Sequence, residues 1–414
     1  MVACPGATPM NAADAAPGPA MPRPVSPRAR VLELITLSDW GGAQEHVFAL
    51  ARGFRGTFDV TVACAPGGPL VERLRREGIP VVEIPSLRRE PSPLDDLRTL
   101  VRLARWIRQE RFALVHCHST KAGLLGRIAS RIAGVPGIIF TAHGWAFAGG
   151  WHPAVRVAAA LAEMAAARIS TAIICVAHHL RQEALRMRIG PPDRIVVVHN
   201  GVDPGPWLQD SPAGARSARA GDPCTAVMVC RLNDPKDPAT LLDAWQRVGG
   251  PHRLLIVGDG PLRPGVELMA GRNGLADRVV MLGARGDVPA LLRGADVFVL
   301  SSRWEGLPIV VIEAMLSGLP VVATDVGGVR EVVVEGETGF LVPPQDPSAL
   351  ASALERLLGD AELRRQMGAA GRKRALAHFT EARMLADTAE VYARALAPRG
   401  RAGVETSRVP PEAS

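Results

Sequence analysis

Lysine is almost missing from this chain of 414 residues, in which three lysines stand beside 45 arginines. Any lysine at the mouth of a cleft is therefore less readily dismissed as compositional noise. Long apolar runs are missing too. The most apolar stretch, 157–177, is interrupted by Glu163 and Arg168, which argues against a membrane-spanning helix. The six cysteines, at 4, 64, 117, 175, 224 and 230, form no CxxC pair. That spacing argues against a zinc ribbon or a disulfide framework and suits scattered core thiols in a reducing compartment. No Asp-x-Asp occurs, which weakens divalent-metal-assisted phosphate chemistry. Aromatic residues make up only 4 per cent, and no zinc finger, RNP-type pattern or helix-turn-helix accompanies them, so a nucleic-acid partner is not expected. Neither GxGxxG nor a Walker GK[ST] loop is found.

What is present is enough apolar residue, 47 per cent, for substantial cores, and a length that predicts two or three domains. From Val31 short apolar runs alternate with amphipathic stretches: "RVLELIT", "FDVTVACA", "FALVHCH", "GIIFTAH", "TAIICVA" and "RIVVVHNGVD" each read as strands. The rhythm breaks over "PGPWLQDSPAGARSARAGDP" and resumes with "TAVMVCR", "HRLLIVGDG", "RVVMLG", "ADVFVLSS" and "LPVVATD". The fold class is therefore α/β, with two doubly wound, Rossmann-like parallel domains facing each other across a cleft. The expected divisions are a Pro/Ala/Gly-rich tail over 1–28, domains over 29–205 and 224–380, a linker over 206–223, a final helix over 381–397 packing back toward the first domain, and a loose tail over 398–414. Residues 1–28 lack the apolar centre of an export signal, so a cytoplasmic location is expected. Residues 1–205 hold 24 basic against 16 acidic side chains, or +8, and the remainder 24 against 25, or −1. An anionic partner, either a membrane surface or a phosphate-bearing acceptor, is thus expected on the first half.

The chemistry-bearing residues fall at strand ends. Gly41-Gly42 precede a helix after the first strand, where backbone N–H groups can meet a phosphate; the alternative is a tight turn. In "VCRLNDPKDP", Arg231 ends a strand and Lys236 follows on the loop, two cations able to neutralise a diphosphate unless they are merely solvated. His143 follows a strand in "FTAHGWAF" and points at the same cleft. His116 and His118 share one strand face, but no carboxylate or cysteine at metal-ligand spacing joins them, so no metal is expected. "SSRWEGLPIVVIEAM" carries two carboxylates in an apolar setting. Glu305 belongs to a loop, and Glu313 lies about one and a half turns into the following helix at ~3.6 residues per turn. Ile309, Val310, Val311, Ile312, Ala314, Met315 and Leu316 leave Glu313 no polar face, and sugar or ribose hydroxyls would give a buried carboxylate its donors. Residues 95–111 predict a helix with Arg98, Arg102 and Arg105 on one side and Leu97, Leu100, Val101, Ala104 and Ile107 on another, most simply a core-facing helix with a solvated back.

Together, Gly41-Gly42, His143, Arg231-Leu232 with Lys236, Glu305 with Glu313-Ala314, and the segments "NGVD", "GDGP", "GLPVVATDVGG" and "ETGFLV" resemble the retaining glycosyltransferases of family 4, with the GT-B fold. The likeness runs from about Val31 to Ala397. It implies an acceptor-side first domain and a nucleotide-sugar-binding second domain. Arg231 and Lys236 would hold the donor diphosphate, Gly42 (with Gly41) would face it from the opposite domain, and Glu313 would hold the ribose. Glu305 and the backbone N–H groups of Gly306 and Leu307 would hold the transferred sugar, with His143 near the reacting centre. No cofactor or metal is implied. The donor would be a nucleotide-diphosphate sugar, UDP-linked by family frequency, and the acceptor a glycan or polyprenyl-linked glycan. Asp237 stands where many relatives have glycine, predicting a differently bent loop. Rival readings are a non-catalytic sugar-nucleotide-binding scaffold, an epimerase on the same fold, and a phosphorylase, for which no pyridoxal-binding lysine is evident.

Overall fold

The computed structural model describes residues 28–88, 90, 92–148, 152–208 and 222–397. Nearly all of the expected amino-terminal tail, most of the 206–223 linker and the carboxy-terminal tail lie outside these residues. Strands β1 (Arg30–Leu34), β2 (Asp59–Cys64), β3 (Val81–Glu83), β4 (Leu114–His118), β5 (Gly137–Ala142), β6 (Ala172–Cys175) and β7 (Ile195–Val197) form one sheet in the order β3-β2-β1-β4-β5-β6-β7. Strands β8 (Thr225–Val229), β9 (Arg253–Val257), β10 (Val279–Gly283), β11 (Val297–Leu300), β12 (Val321–Thr324) and β13 (Gly339–Val342) form a second, in the order β10-β9-β8-β11-β12-β13. All described pairings within both sheets are parallel. Central strands such as β4, β11 and β12 are buried along their whole length, as expected where helices cover both faces of a parallel sheet.

Each sheet reverses its strand order once beside its first strand, between β1 and β4 and between β8 and β11. Loops leaving those strands diverge to opposite faces, and the crevice between them is where an open α/β sheet accepts a ligand. The loops after β1, β8 and β11 carry Gly41-Gly42, Arg231 with Lys236, and Glu305.

The chain crosses back at its end. The helix Glu381–Leu396 buries Met384, Val391, Tyr392 and Ala395 in the same apolar cluster as Val31, Leu50 and Phe54 of the first domain. Arg52 ties its first turn with an ion pair to Glu381 at 2.7 Å.

The helix Pro93–Glu110 departs from the expected pattern. Thr99, Leu103, Ala104 and Ile107 are its buried residues, whereas Leu97 is 58% and Val101 41% exposed. Its apolar stripe is wider than the face its neighbours cover.

Candidate active site

Loop 301–308 follows β11 and is held by backbone on both sides. A Cβ on Gly306 would lie 2.1 Å from the His143 carbonyl oxygen, and one on Gly327, whose φ is +52°, would lie 1.9 Å from the Glu305 carbonyl oxygen. Only glycine permits these approaches and, at Gly327, that backbone conformation. Gly306 accordingly seats the loop of the second domain directly on the end of β5 in the first. Asn200 of "NGVD" ties the same seam: its amide donates to the Leu307 carbonyl at 2.9 Å and its Oδ1 faces His46 Nδ1 at 3.0 Å.

Within this frame the structure brings Lys236 and Glu305 together. Lys236 Nζ lies 2.5 Å from Glu305 Oε1, which also accepts from Ser302 Oγ at 2.6 Å. Burial alone would lower the Lys236 pKa, but the Glu305 carboxylate outweighs it and holds the ammonium above the usual lysine value. A cation assigned to the diphosphate and a carboxylate assigned to the sugar are thus immediate neighbours, a pairing the spacing of 236 and 305 does not reveal. The N–H groups of Gly306 and Leu307 donate to no group among the described residues.

Arg231 is more exposed and reaches across the cleft to Asp39, 3.8 Å away. Gly41 is the extended N-cap of the helix Gly42–Phe54, with no side chain to cap it, leaving first-turn N–H groups of that helix open toward an anion. A Cβ on Gly42 would stand 3.8 Å from Ile309 of the second domain, so the two helix starts face each other. Glu313 is half-buried behind them, and its carboxyl has no hydrogen-bond or ion-pair partner among the described residues. Burial, with Glu45 of the opposite domain adding to it, pushes its carboxyl up to about 8.

Asp237 corrects one expectation. Its backbone is left-handed, with φ 46° and ψ 56°, the region glycine adopts freely. Its side chain accepts from Thr240 Oγ1 at 2.8 Å and caps the helix Pro238–Arg247. The loop keeps a glycine-like bend because a short carboxylate compensates for the backbone cost.

His143 lies at the end of a polar cluster that motif reading missed. The expectation that no carboxylate joins His116 and His118 is overturned: Glu33, fully buried on the adjacent β1, lies 2.8 Å from His118 Nε2 and 3.3 Å from His116 Nδ1. Glu33 also accepts from Tyr392, the single tyrosine of the chain, at 2.5 Å. His118 Nδ1 is 3.2 Å from His143 Nε2, and the His46 ring stands edge-on to His143 at 4.9 Å. Strand register separated these groups in sequence. The available signal was a lone glutamate inside the apolar run "RVLELIT".

The family described as "Glycosyl transferases group 1" matches residues 214–374, and "Glycosyltransferase Family 4" matches 40–205. The UDP-Gal:alpha-D-GlcNAc-diphosphoundecaprenol alpha-1,3-galactosyltransferase of Escherichia coli is 31% identical over 313 residues, 73% of this chain and 81% of that protein. The chain belongs to glycosyltransferase family 4. The alpha-maltose-1-phosphate synthase of Mycolicibacterium smegmatis is also similar to this glycosyltransferase, at 32% identity over 85% of this chain and 95% of that one. The GT-B fold is shared with Anabaena Alr3699/HepE in complex with UDP and glucose, at a TM-score of 0.77 and 22% identity, covering 88% of this chain and 99% of the other. WaaG, a glycosyltransferase involved in lipopolysaccharide biosynthesis, matches with a TM-score of 0.67 at 16% identity over 86% and 98% of the two chains.

Proposed function

We propose that this glycosyltransferase moves a hexosyl-type sugar, with retention of anomeric configuration and without a metal, from a nucleotide-diphosphate sugar to a glycan or polyprenyl-linked acceptor. The observation that carries the reading is the seam itself: Lys236 paired with Glu305, N–H groups at 306 and 307 that have no acceptor among the described residues, and the open start of the Gly42–Phe54 helix converge from two domains. Arg231, Lys236 and the helix starts stabilise the charge that gathers on the diphosphate as the glycosyl C–O bond breaks. Glu313 accepts from the ribose hydroxyls, and Glu305 faces the sugar. The acceptor hydroxyl attacks the anomeric carbon on the face the diphosphate leaves, and its proton passes to a phosphate oxygen. A UDP-linked donor is favoured because the Escherichia coli relative uses UDP-Gal and the Anabaena structure holds UDP.

A lipid-linked acceptor at an anionic membrane surface, on its cytoplasmic face, is supported by the first domain. No helix among the described residues is long and apolar enough to cross a membrane, yet Leu94, Leu97 and Val101, with Val155, Val157 and Leu161 on the helix Pro153–Ile169, are exposed. Arginines 98, 102 and 105 interleave with the first group, a combination suited to an interfacial surface.

A panel of nucleotide sugars, with proton NMR of the product's anomeric coupling, tests the reaction. A retained anomer from a UDP-sugar in EDTA supports it; an inverted product, or turnover lost in EDTA and restored by a divalent metal, contradicts it.

A further inference from the structure

We propose that Glu33, acting through His118, fixes the tautomer of His143, so that His143 meets the sugar as a hydrogen-bond acceptor through Nδ1. The inference rests on the reading of His143 as a group at the reacting centre, but its first test does not.

Glu33 has no exposure and sits among Tyr392, His116 and His118. Burial would raise its carboxyl, but the two histidines outweigh this and hold it well below the usual carboxylate range. An ionised carboxylate only accepts hydrogen bonds. Tyr392 Oη therefore gives its proton to Glu33, and its oxygen accepts from His116 Nδ1 at 2.7 Å. His116 Nε2 is left to accept from Thr141 Oγ1 at 2.6 Å. This pattern leaves each of these polar atoms with a partner.

His118 Nε2 must donate to Glu33 at 2.8 Å. Burial and His116 push the His118 pKa down to about 4, so the ring is neutral and its Nδ1 is a lone pair. His143 Nε2, 3.2 Å away, must then carry the proton. His46 stands close by: with Nδ1 donating to Asn200 Oδ1, its buried Nε2 is also a lone pair and has no partner among the described residues. One ring nitrogen from each of His46, His118 and His143 lies within 4.8 Å of the other two. The His118 acceptor thus faces the His143 donor, with the His46 ring beside them. His143 is itself kept neutral by burial and by His46 and His118, so its Nδ1 is a lone pair, with no partner among the described residues.

Glu33 and His118 are positioning residues in this scheme, and the consequence is chemical. His143 accepts from a hydroxyl of the transferred sugar and cannot donate to a phosphate oxygen, which leaves the diphosphate to Arg231, Lys236 and the backbone N–H groups.

Nitrogen-15 NMR of histidine-labelled full-length protein, with His143 assigned through His143→Gln, tests the proposal. Protonated Nε2 and unprotonated Nδ1 are expected in the wild type. In Glu33→Gln the side-chain amide can donate to His118, inverting first His118 and then His143. The kcat should fall by about 10- to 100-fold, in the range seen when an orienting hydrogen-bond partner is removed, with the donor KM unchanged. A wild-type His143 protonated on Nδ1, a stoichiometric metal on the three histidines, or Glu33→Gln with unaltered tautomer and kcat overturns it. If Glu33→Gln does not fold, the wild-type spectrum decides. Normal turnover by His143→Ala would remove the catalytic reading of His143 and leave the tautomer result standing.

Discussion

At the scale of single residues, the site is organised around charges that are either paired or deliberately unpaired. Lys236 and Glu305 neutralise each other, whereas Glu313 is a half-buried carboxyl with no side-chain partner among the described residues. Glu313 therefore carries a measurable cost. Its folded pKa of about 8 lies above its ordinary value of 4.5. The folded state thus holds a proton that the unfolded chain releases over that window, and stability falls as pH rises from about 4.5 to about 8. Glu313→Gln should remove the loss, raising stability by on the order of 1–3 kcal/mol at pH 8.5 and by nothing at pH 4, as read by thermal melts across pH. At pH 8.5, where the carboxyl is ionised, the donor KM should rise about tenfold in the same variant, since the proposed ribose contact then loses its charged acceptor, a bond of ~1.5–3 kcal/mol. Equal melting of the two proteins at pH 8.5 would show that Glu313 is not held protonated.

At the scale of elements, local sequence chemistry decides how the loops are held. Asp237 occupies a left-handed position and caps the helix that follows. Asp237→Gly should be close to neutral, because the lost cap, ~1 kcal/mol, offsets the relieved backbone, ~1–2 kcal/mol. Asp237→Ala loses the cap and keeps the backbone cost, so it should destabilise by about 1 kcal/mol. Chemical denaturation of both variants distinguishes these outcomes. Most of this level was legible in the sequence: both parallel sheets, a helix start within one residue of the Gly41-Gly42 pair, and the loop-and-helix placement of Glu305 and Glu313 follow from apolar runs and glycine or proline punctuation. The Glu33 cluster was not, because it depends on the register that sets Glu33 beside His116 and on a tyrosine at position 392. Nor was the outward turn of Leu97 and Val101, since periodicity reports an apolar stripe and not the width of what covers it.

At the scale of the whole molecule, two domains share one reaction space because their backbones touch at Gly306 and His143 and because Asn200 and the last helix stitch them together. The first domain is also the one with the basic excess and the exposed apolar helix faces. Wild-type protein should sediment with anionic vesicles more than with neutral ones, and Leu97→Glu with Leu161→Glu should abolish that preference while donor hydrolysis in solution persists. Equal sedimentation with both vesicle types contradicts a membrane-facing first domain.

The central claim is that Lys236 and Glu305 form the donor-activating pair of this glycosyltransferase. It is tested most directly by release of nucleoside diphosphate from a UDP-sugar, comparing wild type with Lys236→Gln and Glu305→Gln after each is shown to be folded by circular dichroism and melting. Loss of about 100-fold or more in kcat/KM in both variants is predicted, equivalent to ~2.7 kcal/mol of transition-state stabilisation. Turnover near the wild-type rate in either folded variant would contradict it.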